Sequence, residues 1–393
     1  MASPFTDPAF YADRYPTYAA LRKRSPVLQV PMDGGALPAA VVTGFDQARA
    51  ALADPALSKD TAAFFAGRPS GRSLHPALAT TMLNSDPPDH TRLRRLVTRA
   101  FTPATVDALR PYIGALAEQL AEGWSPGQRV DLVESFAAPL PVTVICQLLG
   151  VPTADRDGIC QWSTDLFVTG DHQRIDAASH SLADYMAELV VAKRSDPDED
   201  LLSALVAARD SDGDQLSEQE LVSLAVLLLV AGHETTTAAI GNAVLALLRH
   251  PDQLELLRSA PDRTAGAVDE LLRFDSPVSI ATWRWAPEPV RIGETDVPAG
   301  SPVFVSPGAA NRDPARFSDP DRLDLEREAR SHLAFGHGIH RCLGAPLAQA
   351  EVEIALRVLL ERFPGLRLAE PADQLRWRHS RLVRGLESLP VLL

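Results

Sequence analysis

From Leu221 to Leu248 the chain carries one acid, Glu234, and no lysine or arginine. Ser217-Glu218-Gln219-Glu220 precedes this run and His250-Pro251 follows it. A serine with a glutamate three residues later is a capping box, and a proline ends a helix just before itself. Together they predict one helix of about 32 residues, roughly 48 Å long. A helix this apolar has to be buried, so the rest of the chain must be arranged around it. Its most apolar part, Leu221 to Gly232, is interrupted by Ser223 and is too short for a membrane span. At mid-helix the pattern breaks at Ala231-Gly232-His233-Glu234-Thr235-Thr236. An acid and hydroxyls there cost stability unless they are paired or have polar work. A local bend with satisfied hydrogen bonds accommodates them equally well.

A second feature lies near the end of the chain, at Phe335-Gly336-His337-Gly338-Ile339-His340-Arg341-Cys342-Leu343-Gly344. Its glycines let the backbone turn tightly and approach a bulky group closely. An apolar run with helical spacing starts near Ala345 and reaches Phe363, which puts Cys342 near a helix N-terminus. Free amides and the helix dipole favour a thiolate there, and a thiolate in a glycine-lined loop suits an axial haem ligand. Residue types alone also allow a buried structural thiol. A zinc site with His332, His337 and His340 is a third reading, although such crowding in one loop fits structural zinc spacings poorly. His233-Glu234 does not make a zincin helix, because position 237 is threonine and not the second histidine.

Composition narrows the function. A length of 393 residues with 46% apolar content supports a sizeable core. A net charge of −13, from 38 basic and 51 acidic side chains, argues against a general nucleic-acid binder. Three cysteines, Cys146, Cys160 and Cys342, cannot make a disulfide framework, so a reducing, cytoplasmic setting is expected. The N-terminus has no basic region followed by an apolar core, so neither a secretory signal nor a membrane anchor is expected.

Along the chain, Pro16 to Arg24 reads as a helix, Val27–Val30 and Ala39–Thr43 as strands around a Gly34-Gly35 turn, and Phe45 to Leu52 as a helix. Ser58 to Leu83, with Gly67-Arg68-Pro69-Ser70-Gly71, has no period and reads as a long loop. Asp86-Pro87-Pro88-Asp89 starts a helix in which His90 and Arg94 share a face. Two such groups suit a pair of carboxylates. Arg92, Arg95 and Arg99 leave a basic surface for an acidic partner, or simply a solvated face. Pro103–Trp124, Val130–Gly150, Ala154–Thr169, His172–Lys193 and Leu201–Arg209 read as helices. Glu270 and Arg273 stand at i,i+3 on a helix from Ala265 to Phe274, turn-separated strands run from Val290 to Val305, and Arg381 to Leu386 with Leu389-Pro390 matches the final hairpin that the resemblance given below implies.

Phe335 to Cys342 resembles the Phe-Gly-x-Gly-x-His-x-Cys haem signature of the cytochrome P450 superfamily. Ala231-Gly232-His233-Glu234-Thr235 resembles the family's Ala-Gly-x-Asp/Glu-Thr, His90…Arg94 its His-x-x-x-Arg, and Glu270…Arg273 its Glu-x-x-Arg. The resemblance runs from about Tyr15 to Leu393 and has the texture of soluble bacterial members. It implies a mainly α fold with small β-sheets, a triangular prism around a long central helix. It further implies one domain over residues 1–393, β-rich at about 25–60, 278–310 and 375–393 and helical at about 86–275 and 345–363.

The same resemblance implies the site. Cys342 would ligate the iron of haem b, with Phe335, Gly336 and Gly344 in the cysteine loop. His90, Arg94, Arg284 and His340 would hold the propionates, and Ala231 and Gly232 would leave room for haem and dioxygen. Glu234 and Thr235 would deliver protons; spacing alone does not choose between Thr235 and Thr236. Glu270, Arg273 and, as third member, Arg312 would form a structural network. Phe64, Phe65, Leu74, Met82, Val278, Ile280, Ala281, Leu382 and Val383 are pocket contacts by position, and the region Phe167 to Leu182 would overlie the pocket. Trp283 and Trp285 flank Arg284, where sheet packing competes with a narrowed site.

The implied activity is a haem-thiolate monooxygenase that hydroxylates a hydrophobic small molecule in natural-product tailoring (polyketide or macrolide, terpenoid, peptide). Dioxygen is the cosubstrate, and electrons come from NAD(P)H through a ferredoxin and a ferredoxin reductase. Oxidative coupling, epoxidation or multistep oxidation is the alternative within the class. A haem carrier or sensor without turnover is the alternative outside it.

Overall fold

The computed structural model describes residues 8–31, 38–66, 73–166, 171–209 and 213–393. The predicted Gly34-Gly35 turn, the 67–71 glycine stretch and Phe167 lie outside the described residues. Two compact units make up the chain. One comprises Met1–Leu57, Ala108–Leu140 and Thr235–Leu393; the other comprises Ser58–Asp107 and Pro141–Glu234.

The first unit holds the strands: β1 (Val27–Val30), β2 (Ala39–Val42), β3 (Arg129–Asp131), β4 (Arg284–Trp285), β5 (Val290–Ile292), β6 (Thr295–Val297), β7 (Pro302–Val305), β8 (Arg367–Leu368) and β9 (Pro390–Leu392). A four-stranded sheet has the order β1-β2-β7-β4 and is parallel only between β2 and β7, where Val41 faces Phe304. Strand β2 reads Ala-Ala-Val-Val without polar alternation because both its faces are covered. Ala40, Val42, Val303 and Val305 pack with Phe45, Ala48 and Leu52 of the Phe45–Ala53 helix. Ala39, Val41 and Phe304 pack with Phe10, Tyr18 and Leu21 on the opposite side.

A three-stranded sheet, β3-β9-β8, joins a mid-chain strand to the tail. The stretch predicted as one helix from Val130 to Gly150 therefore divides into β3, a π-helical turn Val133–Ala137 and the helix Pro139–Leu148. Asp131 explains the break: its Oδ1 accepts from the amides of Val133 and Leu389 at 3.0 and 2.9 Å. The expected terminal hairpin is reduced to a bridge between Trp377 and Leu386. Pro251 stops the long helix, as predicted, and also opens another, Pro251–Ser259, at whose first turn its missing N–H costs nothing.

Helices Thr264–Phe274 and Ala345–Arg362 pack on each other. Arg273 donates to both oxygens of Glu270, at 2.6 and 2.8 Å, and to the carbonyls of Asn311 and Pro320, at 2.8 and 2.9 Å. The downstream arginine on Glu270 is Arg327, whose Nε lies 3.2 Å from Oε1, and not Arg312 as predicted. Arg312 turns the other way. It donates to Phe274 O and Asp321, and its guanidinium lies over the rings of Tyr15 and Phe274 at 4.1 and 3.9 Å.

The second unit is helical as far as it is described. It contains Thr61–Phe65, Pro76–Ala79, Asp89–Ala100, Arg156–Asp165, His172–Ser195 and Leu201–Ala207. The supposed loop 58–83 thus carries two short helices, each started by a side-chain cap: Asp60 accepts from Ala63 N, and His75 Nδ1 from Ala77 N. Arg92, expected on a basic surface, is committed to Asp214 and Glu220, and Arg99 donates to the Arg209 carbonyl.

The long helix spans Glu218–Arg249, and the division between units falls inside it, between Glu234 and Thr235. Its capping box is formed: Glu220 N donates to Ser217 Oγ and Ser217 N to Glu220 Oε2, at 3.3 and 2.8 Å. By length and composition this helix could cross a membrane, which the apolar run judged from Leu221 to Gly232 did not suggest. However, 67% of its most apolar window is buried in the protein, as expected for a core helix.

Candidate active site

The cysteine loop is built by local backbone bonds. Gly336 N donates to Leu333 O, Arg341 N to Gly338 O and Cys342 N to Phe335 O, at 2.9, 3.1 and 2.9 Å. Gly336 and Gly338 take φ of +72° and +75°, which L side chains rarely adopt. A side chain at 338 is barred twice over, because its Cβ would lie 2.8 Å from Ala53 Cα. At Gly344 a Cβ would meet nothing within 4 Å. Helix Ala345–Arg362 then begins with Pro346 in its first turn.

Of the three cysteines, Cys342 alone is exposed. Burial pushes the Cys146 thiol up to about 12 and also raises Cys160, which keeps both protonated and unsuited to metal. His332, a ligand in the zinc reading, is buried and already engaged. Its Nδ1 accepts from Ala334 N at 3.1 Å, so its Nε2 donates to Asp269 at 3.3 Å. That contact, helped by Gln349, holds the Asp269 carboxyl below the usual range. No group of three or more metal-ligating side chains occurs among the described residues. An accessible thiol in this loop fits a metal that brings its other ligands on a macrocycle, as haem does.

Midway along the long helix, one stripe of four-residue spacing is open. Leu227 and Thr235 are half-buried and Ala231 is exposed, each four residues from the next, while Leu229, His233, Thr236 and Thr237 are buried. Spacing could not choose between Thr235 and Thr236; burial sets Thr235 on the open stripe with Ala231. At Gly232 a Cβ would lie 3.2 Å from Ile145 Cγ1, so the missing side chain also lets Ile145 pack close against the helix. Glu234 is 6% exposed, and its Oε1 lies 3.6 Å from His233 Nε2.

His90 and Arg94 share a face as predicted, and the structure adds a residue that sequence reasoning missed. Lys59, in the stretch that had read as featureless loop, is 1% exposed and His90 is 2% exposed. Burial, then Arg94 and Lys59, push the His90 imidazole below its ordinary value against the opposing pull of Asp86. Two cations and a neutral imidazole against one carboxylate form a cluster suited to carboxylate groups. No local pattern in the sequence marks Lys59.

Arg284 is buried, with its guanidinium on the carbonyls of Thr282 and Leu52 at 3.1 and 3.5 Å. Trp283 packs edge-on against Phe304 at 5.3 Å, which settles it as sheet packing. Among the pocket residues, Leu382 and Phe65 are exposed, and Leu74, Val278 and Ala281 are half-buried. Phe64, Met82 and Val383 are buried, Val383 in a bridge with Val278. Ile280 is buried in the core cluster around Tyr18 and Leu21. A cleft of about 540 Å³ opens beside the cysteine loop, lined by Arg49, Arg316, Arg330 and Arg341 with Asp269 as its one acid.

The family model for Cytochrome P450 matches residues 158–376. Cytochrome P450 107B1 of Saccharopolyspora erythraea is 47% identical, over 98% of this chain and 96% of its own. The tirandamycin C-bound P450 monooxygenase TamI superposes with a TM-score of 0.89 at 46% identity, covering 98% of this chain and 99% of the other. The Bacillus subtilis 168 bacillaene polyketide synthase cytochrome P450 PksS gives 0.92 at 38% identity, with 100% of each chain covered.

Proposed function

The chain belongs to the cytochrome P450 family, whose members are haem-dependent monooxygenases, and from that premise we propose that it hydroxylates an unactivated C–H bond of a hydrophobic natural product, with a polyketide or macrolide favoured over a terpenoid or peptide. The observation that carries the reading is the exposed Cys342 thiol in a loop held open by two positive-φ glycines. The substrate class is supported by the relatives whose names or ligands point to polyketide assembly and to tirandamycin C.

Cys342 is the proposed axial ligand. His90, Arg94, Arg284 and His340, joined by Lys59, are the proposed holders of the propionates. Bound haem supplies the iron at which dioxygen is reduced with two electrons and two protons, one oxygen atom entering the C–H bond and the other leaving as water. The rest of the work is positional. Ala231 keeps a flat face on the helix, Thr235 presents a hydroxyl on the same stripe, and Glu234 holds a proton one residue away. Apolar groups such as Leu382, Val278 and Phe65 orient the substrate and exclude water.

Electrons are proposed to come from NAD(P)H by way of a reductase and an acidic ferredoxin. The four-arginine cleft beside Cys342 supports that partner, since opposite charge steers encounter. Three cysteines, too few for a disulfide framework, support a reducing, cytoplasmic setting.

Two measurements test the reading. Reduced holoprotein exposed to carbon monoxide is expected to give the red-shifted band of a sulfur-ligated haem, and C342S is expected to lose it. Turnover with a surrogate ferredoxin and reductase on a panel of macrolactones, terpenes and cyclic peptides is expected to give a product heavier by one oxygen. Absence of the band refutes the thiolate; spin-state shifts without product across the panel would favour a sensor.

A further inference from the structure

His233 stands in the middle of the polar break in the long helix, and the proposed chemistry leaves it unused. It is 5% exposed. Its Nδ1 lies 3.0 Å from the carbonyl oxygen of Leu229, one turn back. A carbonyl only accepts, so Nδ1 carries a hydrogen, and Nε2 is the ring atom left to respond to its surroundings. Ser163, fully buried on the Arg156–Asp165 helix, places Oγ 3.2 Å from Nε2. On the other side Glu234 Oε1 lies 3.6 Å from the same nitrogen.

Neighbours in a helix sequence point about 100° apart and do not ordinarily face each other. Here the side chains of His233 and Glu234 bend toward one another, and a buried hydroxyl from a second helix meets the histidine at the point of approach. We infer that His233 is a positioning residue for Glu234, its Nε2 edge fixed by Ser163 and holding the carboxyl that delivers protons. A packed core histidine would need only its Leu229 and Ser163 contacts; the convergence of the adjacent acid on Nε2 is what points beyond packing. When Nε2 carries a hydrogen, that hydrogen lies between Ser163 Oγ and Glu234 Oε1. When it does not, Nε2 accepts the Ser163 hydroxyl and offers the carboxyl no hydrogen. His233 touches neither substrate nor haem in this role. The inference rests on the assignment of Glu234 to proton delivery.

The test uses reduced holoenzyme with excess reduced plant-type ferredoxin, mixed with aerated buffer in H2O and in D2O. H233N keeps a donor near Nδ1 and loses the Nε2 edge, whereas H233Q keeps a polar group at the Nε2 position. H233N is expected to slow oxygen consumption at least tenfold and to raise its solvent isotope effect, as E234Q does. H233Q should stay within threefold of wild type, S163A should fall between, and H233N/E234Q should be no slower than E234Q alone. A purely structural histidine would leave the isotope effect unchanged. If E234Q is slow while every folded His233 and Ser163 variant runs at the wild-type rate, the inference is overturned and the role of Glu234 survives. A wild-type rate and isotope effect in E234Q would remove the role of Glu234 itself, and this inference with it. Should H233N not bind haem, S163A and H233Q decide alone, and wild-type behaviour in S163A overturns the inference.

Discussion

Arg273 grips Glu270 with two hydrogen bonds, of 2.6 and 2.8 Å, where neither side chain has any exposure. Removing one member of a fully buried ion pair leaves the other charge unpaired, at a cost of about 3–5 kcal/mol. Glu270→Gln is therefore expected to destabilise the holoprotein by that order in urea denaturation. Arg327→Ala, at a side chain 12% exposed with one contact to Glu270, should cost about 1–2 kcal/mol. Equal losses in the two variants would mean that Arg273 and Glu270 are not the centre of this network.

Gly232 abuts Ile145 and not open space, which separates two consequences of adding a methyl group. Gly232→Ala gains about 1 kcal/mol of helix propensity but forces a 3.2 Å contact that overpacking penalises by about 1–3 kcal/mol. Pairing it with Ile145→Val should recover stability, with a favourable coupling of about 1 kcal/mol in a double-mutant cycle. The haem absorption of the ligand-free alanine variant should match that of wild type. A shifted spectrum with no coupling would mean that the glycine faces the haem after all.

Glu351 gives a pH dependence. Burial alone pushes its carboxyl from 4.5 up to about 8. A glutamic acid that stays protonated when folded but ionises when unfolded binds more protons in the native state between those values, so stability falls as pH rises. The benefit is whole below about pH 4.5 and gone above about pH 8, with an upper limit of about 5 kcal/mol. Glu351→Gln lacks this titration, so its advantage over wild type should grow from pH 5 to pH 8. Parallel curves for the two proteins across that range would refute the assignment.

The legible parts of the fold were those governed by local rules. The long helix declared itself through its capping box, its apolar run and Pro251, and the structure returns Glu218–Arg249. The glycines around Cys342 were readable because positive φ admits little else. What escaped depended on distant partners. Strand β3 exists because Leu389 and the tail come back to Asp131, a pairing that no window around Val130 contains. Arg327 displaced Arg312 on Glu270 because spacing cannot tell which of two downstream arginines finds room beside two aromatic rings. Lys59 was invisible because its significance lies in burial next to His90.

The seating of Gly338 on Ala53 couples the Cys342 thiol to a segment nearly three hundred residues earlier in the chain. Bulk added at position 53 would press on the loop from behind and shift the sulfur without altering any residue of the signature. That offers a steric dial on redox potential, separate from the substrate cavity, for anyone wishing to retune how readily this enzyme accepts its first electron.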